Sequence, residues 1–417
     1  MKHLHLPLCV FAAVTLVAGN LDASKWPQRR GPNQDGVSNE KLNVASWGNQ
    51  GPEVLWRADV GTGVSSMIAA DGKVFAFGNE SNEDRVAALD AKTGKQLWEF
   101  SYECPLDPRQ FTGGTASSPL YDDGLLYTLS HRGDLYAFNA DDGKVVWQKH
   151  LVKDLGGKRP GWGYAQSPVI TGDKLIVVPG GTEKGKNTMG SDGAGVVALN
   201  KKTGETIWSV GDNLAGYGTP LIYDGGSKVA IFNAWGLSGL DTATGKELYT
   251  ERWKTAYQVN AATPIVSDDK IFISSGYGTG SGLFKLTGSG ATKDWTSKDF
   301  QTQMTNAVLF DGTLYGFSMH HVSKPAGRSF RAVDFDTGKV LWETKDPNMG
   351  ALIVVDGKLV IQSDGGELII AEADPKEFKE ITRFQLLGGK NWVTPAIADG
   401  VLYLRNNAGK VVAVKAS

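Results

Sequence analysis

The stretch Ala88-Leu89-Asp90-Ala91-Lys92-Thr93-Gly94-Lys95-Gln96-Leu97-Trp98 limits what this chain can become, because its pattern, Ala-x-Asp-x-x-Thr-Gly-Lys-x-x-Trp, keeps returning. Ala137-Phe138-Asn139 leads to Asp142-Gly143-Lys144 and Trp147, and Ala198-Leu199-Asn200 to Thr203-Gly204 and Trp208. Gly239-Leu240-Asp241 leads to Thr244-Gly245-Lys246 and Tyr249, and Ala332-Val333-Asp334 to Thr337-Gly338-Lys339 and Trp342. A weaker copy ends at Lys293-Asp294-Trp295, and the copy near Asp374-Pro375 has lost its Gly and Trp. Self-similarity at roughly 40–60 residues signals stacked supersecondary units. Each copy reads as a hairpin. An apolar, alternating strand ends at Asp or Asn, whose short side chain accepts from the following backbone amides. Gly supplies the positive φ of the turn, and a second strand carries the aromatic. One such unit buries too little surface to stand alone, so the copies must pack on each other.

A second recurring pair lies between these hairpins. Ser117-Ser118-Pro119-Leu120-Tyr121 precedes Leu125-Leu126-Tyr127-Thr128-Leu129, and Gln166-Ser167-Pro168-Val169-Ile170 precedes Lys174-Leu175-Ile176-Val177-Val178. Gly218-Thr219-Pro220, Ala262-Thr263-Pro264 and Val393-Thr394-Pro395 repeat the theme. Each unit is therefore four short strands, A to D, joined by tight turns, which is a propeller blade. Units begin near Val64, Thr115, Gln166, Gly218, Ala262, Thr305, Gly350 and Val393, which predicts an all-β, eight-bladed β-propeller of four-stranded antiparallel blades. Seven blades are the fallback if residues 350–386 do not form a true blade. The last unit runs out at Lys410-Val411-Val412-Ala413-Val414 without a D strand, whereas Pro52-Glu53-Val54-Leu55-Trp56-Arg57 looks like a D strand with no hairpin before it. The N-terminal strand is thus expected to complete the C-terminal blade and leave no open edge.

At 417 residues, length alone suggests two or three domains, but a repeat overrides that rule. The formal net charge of −2, with no basic run, argues against a nucleic-acid partner. Residues 1–23 read as a secretory signal peptide: Lys2 and His3 form a short n-region, and Leu6 to Val17 an apolar stretch too short to span a bilayer. Cys9 follows Leu8 and lacks the small residue that precedes a lipidated cysteine. Cleavage would leave Cys104 as the single cysteine, with no internal disulfide, and it reads as a buried, inert thiol without a nearby base. Residues 24–50 form a Pro/Gly-rich lead expected to lie across the propeller domain, 51–417. No second stretch reaches spanning length, so the mature chain is expected in the periplasm or outside the cell, as a monomer.

The repeat resembles that of the PQQ-like β-propeller family, and Trp26-Pro27-Gln28-Arg29-Arg30-Gly31-Pro32-Asn33 looks like the opening of its secreted bacterial members. The resemblance implies one of two jobs. Quinoprotein dehydrogenases of this family hold pyrroloquinoline quinone (PQQ) and Ca²⁺ in the central funnel; BamB-like members bind no cofactor and serve as protein-binding platforms. Fold alone does not choose between them. The resemblance also implies that Trp56, Trp98, Trp147, Trp208, Trp295 and Trp342 dock between blades, as their recurrence in register suggests.

The A–B and C–D turns are minimal in sequence, and the D–A and B–C connections longer, so the variable loops share one face. That face is expected to carry Arg109, Arg159, Trp162, Tyr164, Tyr217, Tyr257, Gln258, Gln303, Lys390, Asn391 and Trp392, an aromatic, amide and basic rim suited to a partner or ligand. A quinone enzyme needs converging oxygen ligands for Ca²⁺ and a general base. The acids of this face, Glu80, Glu83, Asp84, Asp107, Glu183 and Asp192, read mostly as loop tips, and neither an adjacent Cys-Cys pair nor a Cys-x-x-Cys-His is present. His320-His321 would point to opposite faces of a strand, and Gly276-Tyr277-Gly278-Thr279-Gly280 reads as a B–C turn with no helix after it. The expectation is a non-catalytic protein-binding platform with no cofactor and no catalytic or metal-binding residues. The alternatives are a dehydrogenase for an alcohol or sugar, using PQQ and Ca²⁺, and a glycan-binding propeller.

Overall fold

The motif Asp sets each turn. Asp90 Oδ1 accepts from the Thr93 amide at 2.8 Å and the Thr93 hydroxyl at 2.7 Å, and Gly94 follows at φ 69°. The same bonds recur at Asp241–Thr244 and Asp334–Thr337. In the computed structural model, which describes residues 25–108, 113–183, 186–287, 290–321 and 326–417, these turns join strands C and D of an eight-bladed, all-β propeller. Arg109 and the leader at 1–23 lie outside the described residues.

Blade 1 consists of Ile68–Ala70, Lys73–Glu80, Glu83–Asp90 and Gln96–Glu103, paired antiparallel in sequence order. The A strands of blades 2 to 8 are Leu120–Asp122, Val169–Thr171, Leu221–Tyr223, Ile265–Ser267, Val308–Phe310, Gly350–Val355 and Ala396–Ala398. The unit at 350–386, despite its eroded motif, is a full blade. In blade 8 the outer strand is Val54–Asp59, antiparallel to Lys410–Lys415 with Val54 opposite Val414 and Asp59 opposite Lys410. The ring therefore closes through the strand before blade 1. Arg405, fully buried in blade 8, donates to the carbonyls of Ser65, Phe77 and Gly61 and so ties that closure to blade 1.

The apolar core lies between blades, as in the cluster of Phe75, Phe77 and Val86 with Leu126 and Phe138. A repeated contact seals the seams. Trp98 of blade 1 donates its Nε1–H to the Ala140 carbonyl in the C–D turn of blade 2 at 3.0 Å. Trp147, Trp208, Trp295 and Trp342 do the same to Lys201, Thr242, Phe335 and Asp374 of the following blade, and Trp56 to Ala91 of blade 1. Five of the six indoles also lie against the turn glycine, Trp342 being the exception because its turn has none: a Cβ on Gly94 would stand 2.5 Å from Trp56, and one on Gly143 2.6 Å from Trp98. The motif Gly is thus required twice, for its φ and for the absence of a side chain. Tyr249 departs from the scheme, since its hydroxyl pairs with Tyr223 of its own blade.

The lead threads the hub. Trp26 bridges to Ala69 of blade 1, and the Pro27 carbonyl accepts from Tyr121 of blade 2. Arg29 donates to Thr219 and Asn306, Gln34 to Pro220, and Val37–Ser38 pairs with blade 7 at Val354 and Val355. A run this short that touches blades 1, 2, 4, 6 and 7 must cross the central channel.

Replacing Gly94 by Ala is expected to destabilise more than replacing Gly124, whose φ is also positive but around which a Cβ would find no atom within 4 Å. Gly124→Ala carries the left-handed backbone cost alone, ~1–2 kcal/mol. Gly94→Ala adds ~1–3 kcal/mol of overpacking against Trp56. Denaturant midpoints of the two variants check this; equal losses would mean the indole does not confine the turn.

Candidate functional site

Strand polarity puts every D–A and B–C connection on one face, and the segments entering the A strands descend from it into the channel. They enclose a cavity of about 170 Å³ lined by Val64, Ala116, Trp162, Tyr217, Gln303 and Trp392 among others. Arg29, brought in by the lead, lines it as well. Its hydrogen bonds go to the neutral Thr219 Oγ1 and Asn306 Oδ1, and burial pulls its guanidinium down to about 10. The wall is otherwise apolar or neutral and polar, with the Ser66 and Thr394 hydroxyls and the Gln303 amide: no carboxylate occurs among the described residues that line it. Gln303 Oε1 and Trp392 Nε1 are buried there without a hydrogen-bond partner.

Above the cavity stands an aromatic cluster. Trp162 meets Tyr217 at 6.0 Å and Tyr257 at 6.4 Å between ring centroids, and Tyr257 meets Tyr277 at 5.6 Å. Tyr257 is 72% exposed, and it, Gln258 and Tyr277 all adopt left-handed backbone conformations, φ 58°, 60° and 58°. Side-chain-bearing residues adopt that region at a cost, and such strain concentrates at binding sites. On the other rim, Lys390 Nζ sits 4.8 Å from the Trp392 ring.

The expected rim therefore divides. Trp162, Tyr217, Gln303 and Trp392 line the cavity; Tyr257, Gln258 and Lys390 flank its mouth. Tyr164 and Asn391 do not belong to the face. Tyr164 is fully buried in the core between blades 2 and 3 with its hydroxyl on the Pro179 carbonyl. Asn391 is fully buried between Gln362 and the Asp364 carbonyl. Arg159 is a brace, bonded to Asp107 at 2.5 Å and to the His131 carbonyl. The B–C connections are also shorter than expected, Ser81-Asn82 alone joining strands B and C of blade 1, and the long ones are 178–195 and 319–328. Arg29 and Tyr277 were not singled out from the sequence, since a lead residue and a turn residue carry no local sign of facing a channel.

Two further expectations are corrected where blade 1 meets blade 2. Asp84 is not in a loop tip but fully buried at the start of strand C, and Cys104 does have a base nearby, with its Sγ 3.7 Å from His131 Nδ1. Burial pushes the Asp84 carboxyl up to about 6 against the hydrogen bonds of Asn79 and Cys104. Burial, then Arg159 and Arg132, push His131 down to about 4. Burial raises the Cys104 thiol, with Asp84 adding to the effect.

With this geometry in view, comparison with known proteins resolves the ancestry. A family profile described as outer membrane protein assembly factor BamB matches residues 40–106 and 82–330. The chain belongs to the PQQ-like β-propeller family. It is 22% identical to the outer membrane protein assembly factor BamB of Yersinia pestis, over 78% of this chain and 68% of that protein. It is 31% identical to the quinoprotein alcohol dehydrogenase PedH of Pseudomonas putida, over 45% of this chain but only 28% of that longer enzyme. The quinohemoprotein alcohol dehydrogenase of Comamonas testosteroni shares the fold, with a TM-score of 0.67 at 13% identity over 94% of this chain and 80% of that one. Family members thus include assembly factors and dehydrogenases alike. Among the described residues no helix is long and apolar enough to cross a membrane.

Asp84 and His131 bear on stability with opposite signs. The Asp84 contribution is present below its unfolded value of 3.8 and lost as pH rises through about 6. The His131 contribution is present above its unfolded value of 6.5 and lost as pH falls through about 4. The two nearly cancel between those limits. Asp84→Asn should leave the histidine term alone, so its denaturant midpoint rises from pH 4.5 to pH 6.5 more steeply than the parent's; parallel profiles would contradict the assignment.

Proposed function

We propose that this protein is a BamB-like, non-catalytic binding platform that holds a protein partner on the face made by its D–A and B–C connections, acting as a monomer in the periplasm or outside the cell. The observation that carries the reading is the chemistry of the channel wall, whose side chains offer a cation only neutral oxygens, those of Ser66, Thr394, Gln303, Tyr217 and Tyr277, with the Arg29 guanidinium in the same space. Ca²⁺ takes about six to eight oxygens, several of them from carboxylates. The residues present do not fit that ion, nor do they include a carboxylate to serve as general base beside it. The long alignment with BamB supports the same reading, as does the secretory leader read in the sequence.

The mouth of the cavity has the composition of a binding surface. Exposed and half-buried aromatics present large contact areas at small entropic cost, and such residues dominate interface energies. Tyr257, Trp162 and Tyr277 form one such group, and Lys390 with Trp392 another across the channel. One feature keeps a ligand reading open to test: Arg29 below aromatic walls suits a flat anion, the class to which a quinone cofactor belongs.

A photo-crosslinking residue placed at Tyr257, in the native host, should yield a discrete protein adduct, whereas the same residue at Asp311, in an A–B turn on the opposite face, should not. Adducts from both positions or from neither would count against the platform. In parallel, PQQ with Ca²⁺ should give no dye reduction with alcohols or sugars and no rise in melting temperature. A rise with turnover would establish the dehydrogenase, and retention on a glycan array the carbohydrate-binding alternative.

A further inference from the structure

We propose that Asp84, Cys104 and His131 form a buried site for a zinc-class divalent metal ion at the seam between blades 1 and 2. The three residues come from separate places in the chain: the start of strand C of blade 1, the residue just after its D strand, and the B–C turn of blade 2. Their ligand atoms all lie within 4.8 Å of one another, and all three side chains are essentially inaccessible to solvent. A tetrahedral ion with the usual zinc–sulfur and zinc–nitrogen bond lengths keeps its S and N ligands about 3.6 Å apart. Cys104 Sγ and His131 Nδ1 stand 3.7 Å apart.

Charge fits as well. A thiolate, a carboxylate and a neutral imidazole sum to −2, which a divalent cation neutralises, so the filled site carries no net charge into a low-dielectric seam. The surrounding charges, two arginines and two aspartates, sum to zero, and each is held by a contact of its own. Arg159 pairs with Asp107, Arg132 bonds the Pro105 carbonyl, and Asp134 accepts from Ser130.

The outer groups also point to a ligand. Asn79 Nδ2 donates to Asp84 Oδ1 at 2.7 Å and to the Cys104 carbonyl at 2.8 Å, fixing two of the three ligands relative to each other. His131 Nε2 and Asn79 Oδ1 are buried without hydrogen-bond partners. Binding displaces the thiol proton, and the carboxyl proton where one is held, to solvent; no bond other than these is broken. Three protein ligands leave a fourth position for a water molecule.

The test uses the full chain carrying Cys9→Ser, so that Cys104 is the sole thiol, stripped with EDTA and titrated with Co²⁺. The expected result is one equivalent of tetrahedral cobalt, with intense visible bands and a sulfur-to-cobalt charge-transfer band that Zn²⁺ bleaches, and a melting temperature raised by Zn²⁺. Cys104→Ser should lose the charge-transfer band, and His131→Gln should weaken binding at least tenfold, both keeping the β-sheet circular dichroism of the parent. The titration of the unsubstituted site decides the matter even if a variant fails to fold. No charge-transfer band at saturating Co²⁺, together with no thermal shift from Zn²⁺, would overturn the proposal and leave the cluster a hydrogen-bonded part of the core.

Discussion

The indole laid on a glycine is the contact on which this architecture depends. A blade is a small sheet with two apolar faces, and it is stable only with a neighbour on each side. A tryptophan of strand D supplies the ring, the next C–D turn supplies in most blades a flat patch without a Cβ, and one backbone carbonyl takes the indole proton. A net bond of this kind contributes only about 0.5–1.5 kcal/mol. Its larger effect is geometric, because ring and carbonyl together fix the angle between blades.

The seam between blades 7 and 8 shows the same logic through its exception. Blade 7 has Thr382 where blade 4 has Tyr249 and the others carry Trp, and blade 8 has no C–D turn to receive one, since its D strand comes from the other end of the chain. Ring and receptor are lost together. The lead fills the space: Trp47 meets Phe384 edge-on at 6.3 Å, Gly51 lies under the same Phe384, and Asn43 donates to the Ala416 carbonyl. The lead also decides the chemistry of the hub. Without Arg29 the described lining of the cavity would carry no charge.

How much of this could be read from the sequence follows from range. The turn chemistry of Asp90, Thr93 and Gly94 is local, so the blades and their number were legible, as was the closing pair of 54–59 with 410–415, because a D strand without a hairpin must find one. The site was half legible. Loop residues such as Trp162 and Trp392 could be assigned to a face from connection order alone. What could not be read was depth: Tyr164 and Asn391 sit in similar loops yet are fully buried. Convergence was equally hidden. Nothing in the spacing of Asp84, Cys104 and His131 reveals that a strand start, a strand end and a turn in the next blade meet at one point.

The manner of ring closure has a mechanical consequence. Because Val54 faces Val414 and the strands run antiparallel, both ends of the chain leave blade 8 at the same edge. Tension between the termini would load the ladder one rung at a time, as in opening a zip, and not all rungs together in shear. Resistance would come first from the lead, whose anchors in blades 1, 2, 4, 6 and 7 must be stripped before that strand feels the load. The segment threaded through the hub thus acts as strain relief for the joint that closes the wheel.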